Sequence, residues 1–383
     1  MMNGDSIGNI LWFIIFFAFI VIYPRLMLSQ LIMKLEQSAQ RLEALSAKAR
    51  KMIAKKSGNR SRSTEQRISL FQEFFAIEPS SLDPFGIVKK LDQVVRMVED
   101  KFRDFVNEIA PQKSSVEKQE INYGLRAAMS VHTIAKIVRH YVEMAKKFKN
   151  LQIALILQMQ LPMIEKIAKA EFNGTKAFLN GWPIGDSIGP LVAASLIDKA
   201  KPIAEGVVCG ETKILGRKVF VLKANGPGPE LGRTDEAIEK ILKKHKITKV
   251  ITIDAMSKLE GEKTGSVAFG VGFGMGGSVQ REIIENVLLP KKIPVEAIGI
   301  KVGFEEAILP MKKEIFNALP TVLELIKESI KKTKKNDKIL IIGVGNSSGV
   351  GNDKRAVEEV KKIVGQLDRM FKEQQKQKKR GWF

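Results

Sequence analysis

Two aspartates give this sequence its clearest hint of chemistry. Asp186 lies in Gly181-Trp-Pro-Ile-Gly-Asp-Ser-Ile-Gly-Pro190, at the mouth of a predicted helix. Asp254 closes the apolar run Val250-Ile251-Thr252-Ile253. In an open α/β sheet, side chains at strand ends and helix starts converge on the crevice at the C-terminal edge of the strands. Two carboxylates meeting there could serve as acid and base, because like-charge repulsion raises one pKa and leaves the other group ionised. They could also hold a divalent metal. Asp is equally a common cap and loop residue, so position alone leaves a structural role open for both.

Other residues could serve the same crevice. Lys258 and Lys263 follow Asp254 and could neutralise it or meet an anionic ligand. Three glycine-rich stretches follow predicted strands: Ala224–Thr234 with Gly226 and Gly228, Gly270–Gly277 with Gly272, Gly274 and Gly276, and Gly343–Asn352 with Gly345 and Asn346. The last precedes a helix, where backbone amides can hold a phosphate or carboxylate. Ser348 stands where the dinucleotide fingerprint needs its third glycine, and the Walker Lys-Ser/Thr is absent. A structural turn and an anion site both stay open there.

Such residues need a scaffold. Beyond residue 174 short β-rich runs alternate with helical ones. Strands are predicted at Ala177–Gly181, Gly206–Gly210, Lys218–Lys223, Val250–Ile253, Val295–Ile300 and Lys338–Ile342. Helices are predicted near Ile188–Lys199, Asp235–His245, Val279–Val287, Phe304–Lys332 and Lys354–Lys376. The alternation predicts an α/β domain over 174–383, a mostly parallel sheet with helices on both faces. A helical region at 67–173 precedes it. Asp83-Pro84 starts one helix there, and others fall near Glu117–Lys147 and Leu151–Glu171. Residues 34–66 read as a basic amphipathic helix, with Leu35, Ala39, Leu42 and Leu45 at steps of three or four, and a polar linker.

Residues 1–33 read as a transmembrane anchor. Ile10 to Tyr23 carry no charge, and Ile7 to Leu28 supply the roughly 20 mostly apolar residues a spanning helix needs. Lys34, Arg41, Lys48, Arg50, Lys51, Lys55 and Lys56 follow, so the positive-inside rule places the N-terminus outside the cell membrane and the main body in the cytoplasm. The 383 residues hold 63 Lys+Arg against 42 Asp+Glu, a net of +21, which suits an anionic lipid surface. Aromatic content of 7% without a basic-aromatic motif disfavours nucleic acid as a partner. Cys209 is the sole cysteine, which excludes an intramolecular disulfide and a Cys-based zinc cluster.

Asp186-Ser-Ile-Gly-Pro, Gly232-Arg-Thr-Asp-Glu-Ala-Ile, Val250-Ile-Thr-Ile-Asp-Ala255 and Ile293-Pro-Val-Glu-Ala-Ile-Gly299 occur in this order. Together they resemble the spore germination protease and hydrogenase maturation protease superfamily. The resemblance implies a phosphorylase-like, hydrolase-like α/β fold with its two acidic positions at Asp186 and Asp254. Gly343-Val-Gly-Asn346 resembles the turn that this family carries before its first acidic residue, although here it comes last. The histidine of the nickel-sensing set has no match near Gly299, so no nickel site is implied. The whole chain also resembles an uncharacterised archaeal membrane-anchored family, through Phe74-Phe-Ala-Ile-Glu-Pro79, Ser81-Leu-Asp-Pro-Phe-Gly-Ile-Val88 and Asp254-Ala-Met-Ser-Lys-Leu-Glu-Gly-Glu-Lys-Thr-Gly265. The expectation is a membrane-anchored protein with an aspartate-dependent peptidase domain. The alternative is a non-enzymatic scaffold or anionic-ligand-binding module with a protein or peptide partner.

Overall fold

Alternate residues of the central strands face two separate cores, and this pleat organises the second half of the chain. Val219, Val221, Ile251, Ile253, Ile339 and Ile341 enter one core, while Phe220, Leu222, Val250, Leu340 and Ile342 enter the other. The computed structural model describes residues 4–59, 61–77, 86–272, 284–285 and 287–380. The predicted helix start at Asp83-Pro84, most of the predicted helix Val279–Val287, and Gly274 and Gly276 lie outside the described residues.

The helical first part comprises α1 (Gly4–Lys56), α2 (Arg62–Phe71), α3 (Ile87–Ile109), α4 (Ser115–Phe148) and α5 (Leu151–Leu179). A reciprocal cap starts α4: the Glu117 amide donates to Ser114 Oγ (3.3 Å) and the Ser114 amide to Glu117 Oε2 (3.1 Å). Then follow α6 (Ile188–Ser195), β1 (Ala200–Ala204), β2 (Val207–Ile214), β3 (Arg217–Ala224), α7 (Thr234–Lys244), β4 (Lys249–Ser257), β5 (Val267–Val271), β6 (Val295–Val302), α8 (Lys313–Phe316), α9 (Leu319–Lys331), β7 (Lys338–Gly343) and α10 (Arg355–Arg380).

Contacts divide the chain into two compact units. The first holds Met1–Arg50 and Ala128–Phe172. In it Leu28, Leu31, Leu35, Ala39 and Leu42 of α1 share a core with Val138 and Val142 of α4 and Ala154 and Leu157 of α5. N-terminal to that core, Leu11 to Phe17 of α1 are all exposed. The helix is long and apolar enough to cross a membrane, by length and composition.

The second unit holds Lys51–Ala127 and Asn173–Phe383. Its seven strands form one sheet in the order β1-β2-β3-β7-β4-β6-β5. β3, β7, β4 and β6 are parallel, whereas β1–β2, β2–β3 and β5–β6 pair antiparallel. The expected mostly parallel sheet is therefore corrected to a mixed one. The connections Glu205-Gly206 and Leu215-Gly216 are two residues long, which permits only antiparallel pairing. Helices α6, α9 and α10 cover the Ile251 face; α7, with Ile284 and Leu288, covers the Val250 face.

Two further expectations change. Ala177–Gly181 is not a strand but the last turn of α5, closed by Gly181 at φ +60°. Helix also fails from Phe304 to Lys312. There the Glu306 carboxylate accepts from the Gly303 amide (2.7 Å), Thr264 Oγ1 (2.8 Å) and Lys312 Nζ (2.5 Å), which holds the segment as turns.

Candidate functional site

The parallel strands end on one edge, and the loops after β3, β4, β6 and β7 gather there. α6 lies against this edge at backbone distance. A Cβ on Gly189 would fall 2.1 Å from the Val344 carbonyl oxygen and 2.6 Å from that of Ile253. Asp186 precedes this helix in a single 3-10 turn, Gly185–Ser187. Its amide donates to the Ala307 carbonyl (2.9 Å), and its Oδ2 accepts from the Asn346 amide (2.7 Å). Burial raises the Asp186 pKa, against the lowering effect of that amide. The turn Gly343–Asn346, last in the chain, thus sits directly on Asp186. Gly345 makes the approach possible, with φ +118° and a missing Cβ that would lie 2.2 Å from the Asp186 carbonyl oxygen.

Asp254 lies at the same edge inside β4, paired with Gly299 of β6 and almost wholly buried. The pleat puts it on the face of Val250 and Thr252, whereas α6 packs on the face of Ile251 and Ile253. The two aspartates lie at the same edge, Asp254 within a strand and Asp186 in the turn that precedes α6.

The loop after β7 spends its polar groups on its own neighbours. The Val344 amide donates to Ile253, Ser347 to Glu230, Gly349 to Pro227 and Val350 to Ser347, all to carbonyl oxygens, while the Ser348 amide donates to Asn346 Oδ1. Ser347 Oγ shares its one proton between the carbonyls of Asn225 (2.9 Å) and Gly228 (2.8 Å). Gly226 is a glycine for a like reason: a Cβ would meet the Val350 carbonyl oxygen at 1.8 Å, whereas at Gly228 it would meet only the movable end of Gln119. Lys258 donates its amide to Val302, and Lys263 is exposed on the connection to β5. Gly272, at φ +101°, follows β5 with open space beside it. Among the described residues no group of three or more His, Cys, Asp or Glu could hold a metal ion.

A buried lysine at this edge had no signal in the sequence. Lys223 is the penultimate residue of β3, and its Nζ donates to the Ala224 carbonyl (2.6 Å) and Asn352 Oδ1 (2.9 Å). Burial pushes its pKa down to about 7. The unfolded chain then holds more protons than the fold between about pH 7 and the ordinary lysine value of 10.5, so this group makes stability rise with pH across that window. Lys223→Met is expected to flatten that rise and to stabilise the protein at neutral pH, as read by denaturant midpoints from pH 6 to 10.

A second site lies where α3 and the start of α4 meet the β1–β2 turn and the loop before α7. It is a cleft of about 480 Å³ lined by charged and polar residues of these elements. Arg103 of α3 pairs with Glu205 (2.8 Å). Arg233, ahead of α7, pairs with Asp92 (3.0 Å) and Glu99 (3.1 Å). The Arg126 guanidinium lies over the rings of Phe102 (4.5 Å) and Tyr123 (5.3 Å). Glu230 accepts from Gln119 Nε2 (3.1 Å) and from the Leu231 amide (3.1 Å). Lys118 completes a lining with four cations against Glu99, Glu205 and Glu230. Burial raises the pKa of Glu99, opposed by Arg233 and Arg126, and burial raises that of Tyr123. Sequence reading missed this site because its arginines lie far apart in the chain. One signal was legible: Asp92, Arg96, Glu99 and Arg103 recur at steps of three and four, on one face of α3.

A helical N-terminal part carrying an apolar first helix, followed by an α/β domain with a mixed seven-stranded sheet, defines the class. Family models divide the chain at nearly the same place. The model described as the N-terminal domain of a protein of unknown function, DUF1512, matches residues 9–181, and its C-terminal counterpart matches residues 184–351. The two together span most of the chain, which belongs to the DUF1512 family. No curated protein and no solved structure matches it.

Proposed function

We propose that this protein is a membrane-anchored ligand-binding module, its main body cytoplasmic, that takes a small anionic ligand in the cleft between α3, α4 and the loop before α7. One observation carries the reading: Arg103, Lys118, Arg126 and Arg233 converge from three elements on one cleft of about 480 Å³. That volume falls in the range of small-molecule sites. Arginine forks held by carboxylates are already oriented for a phosphate or carboxylate. Glu99 is the partner that yields, because burial disfavours its charged form and an incoming anion can replace it at Arg233. By contrast, the loop after β7 has already committed the amides of Val344, Asn346, Ser347, Ser348, Gly349 and Val350 to bonds within the protein.

Inorganic pyrophosphate and citrate serve as probes for the full chain in detergent. A ligand at a hundredfold excess over its Kd stabilises by about 2.7 kcal/mol, a shift of several degrees in Tm. At least one probe is expected to raise the Tm, and Arg126→Met is expected to abolish the rise. An equal rise in the variant, or no rise with either probe, would contradict the reading.

A second reading, an aspartate-dependent peptidase of the protease-like type, has its own support. The Asn346 amide of the Gly343–Asn346 turn, last in sequence, donates to Asp186, and this contact supports the reading. Under this reading Asp254→Asn abolishes peptide hydrolysis while the melting temperature stays nearly unchanged. Loss of folding instead would make Asp254 a structural partner.

A further inference from the structure

We propose that the tip of the α4–α5 hairpin lies in the headgroup layer of the bilayer that α1 crosses, an inference that rests on reading α1 as a span. Register within the first unit carries it. Glu36 of α1 pairs with Lys146 (2.5 Å) and Arg139 (2.5 Å) of α4, and Arg41 of α1 pairs with Glu165 of α5 (2.8 Å). Ser46 of α1 meets His132 of α4. α4 therefore runs against α1, and α5 runs with it. Counting back along both helices from Arg41 and Glu165 sets Leu155 level with Leu31. At 1.5 Å per residue this is about 5 Å beyond Leu28, where the predicted span ends. The headgroup layer on each side of the hydrocarbon is about 5–7 Å thick.

The surface at that depth suits lipid. Phe148 is 61% exposed and Ile156 60%. From Leu151 to Ile164 the helix holds no charged residue, although its outer side is open. The outer face of a water-exposed helix ordinarily carries charge. Lys146, Lys147 and Lys149 surround the tip, and no acid lies between Lys146 and Ile164. Apolar side chains at the acyl boundary with lysines among the phosphates form the pattern of an interfacial helix. Continuity with the apolar face of α1 selects the bilayer over a second copy of the chain as the occupant.

The test uses the full chain in anionic vesicles, with Cys209→Ala and one new cysteine at a time: Ile156→Cys at the tip, Phe19→Cys in the span, or Thr133→Cys on α4, about 20 Å along the helix from Phe148. Each carries an environment-sensitive fluorophore and meets two quenchers, spin-labelled lipid and aqueous iodide. Labels at Phe19 and Ile156 are expected to be quenched by lipid, and the label at Thr133 by iodide alone. If Phe19 is quenched by lipid and Ile156 by iodide as strongly as Thr133, the span stands and the tip lies in water. If Ile156 is shielded from both quenchers, protein covers it and the proposal falls. If Phe19 escapes lipid quenching, the span itself fails, and the inference with it.

Discussion

Gly189→Ala is expected to destabilise the α/β domain by about 3 kcal/mol or more, although alanine is the better helix former. In an open helical position the exchange would stabilise by up to about 1 kcal/mol. Here the new Cβ would lie 2.1 Å from one backbone oxygen and 2.6 Å from another, and neither can move without shifting β4 or β7. Overpacking against backbone then outweighs propensity. Gly365→Ala on α10 meets nothing within 4 Å and supplies the contrast, with an effect near zero or stabilising. Thermal unfolding of both variants reads the difference as a loss of roughly 10 °C for Gly189→Ala against no loss for Gly365→Ala. An unchanged Tm for Gly189→Ala would mean that α6, and Asp186 with it, is not clamped on the strand ends.

Removing residues 1–24 is expected to convert a protein that only detergent extracts into one that a high-salt wash releases. The side chains from Leu11 to Phe17 are all exposed, so the cut takes away the apolar surface that the proposed span would place in the bilayer. Where the cut falls matters. Deletion through Met33, the boundary drawn from hydropathy, would also remove Leu28 and Leu31, which are buried in the α1–α4–α5 core. Losing either buried leucine costs about 2–5 kcal/mol, so that longer truncation would confuse release with unfolding. If the chain from Arg25 onward still pellets after high salt, a spanning anchor is not what holds the protein to membranes.

Local pattern was the legible part of the sequence. β3, β4 and β7 carry continuous apolar runs because both faces of those strands are covered, and such runs read plainly as strands. The amphipathic stripe of α1 was equally plain. Edge strands were not. β1 and β5 are short and half open to solvent, so they lack apolar alternation, and missing them left the sheet too parallel. The apolar end of α5 looked like a strand because Ala177, Phe178 and Leu179 are buried in a helix as fully as a strand would be. Asp186 and Asp254 stood out as types at spacings, but which sheet face Asp254 occupies follows from register. The arginine cleft joins residues from Arg103 to Arg233, and only tertiary structure unites them.

Hydrogen exchange on the full chain, with and without saturating pyrophosphate, tests the ligand-binding claim most directly. Amides buried by a ligand, or stiffened around it, exchange more slowly. Slowed exchange is expected in residues 99–107, 115–126 and 230–236, which frame the cleft, and no change in residues 344–350, where the amides of Val344, Asn346, Ser347, Ser348, Gly349 and Val350 are already bonded within the protein. Protection confined to 343–352 and to the turn at Asp186, with the cleft segments unchanged, would contradict the account and move the site to the sheet edge.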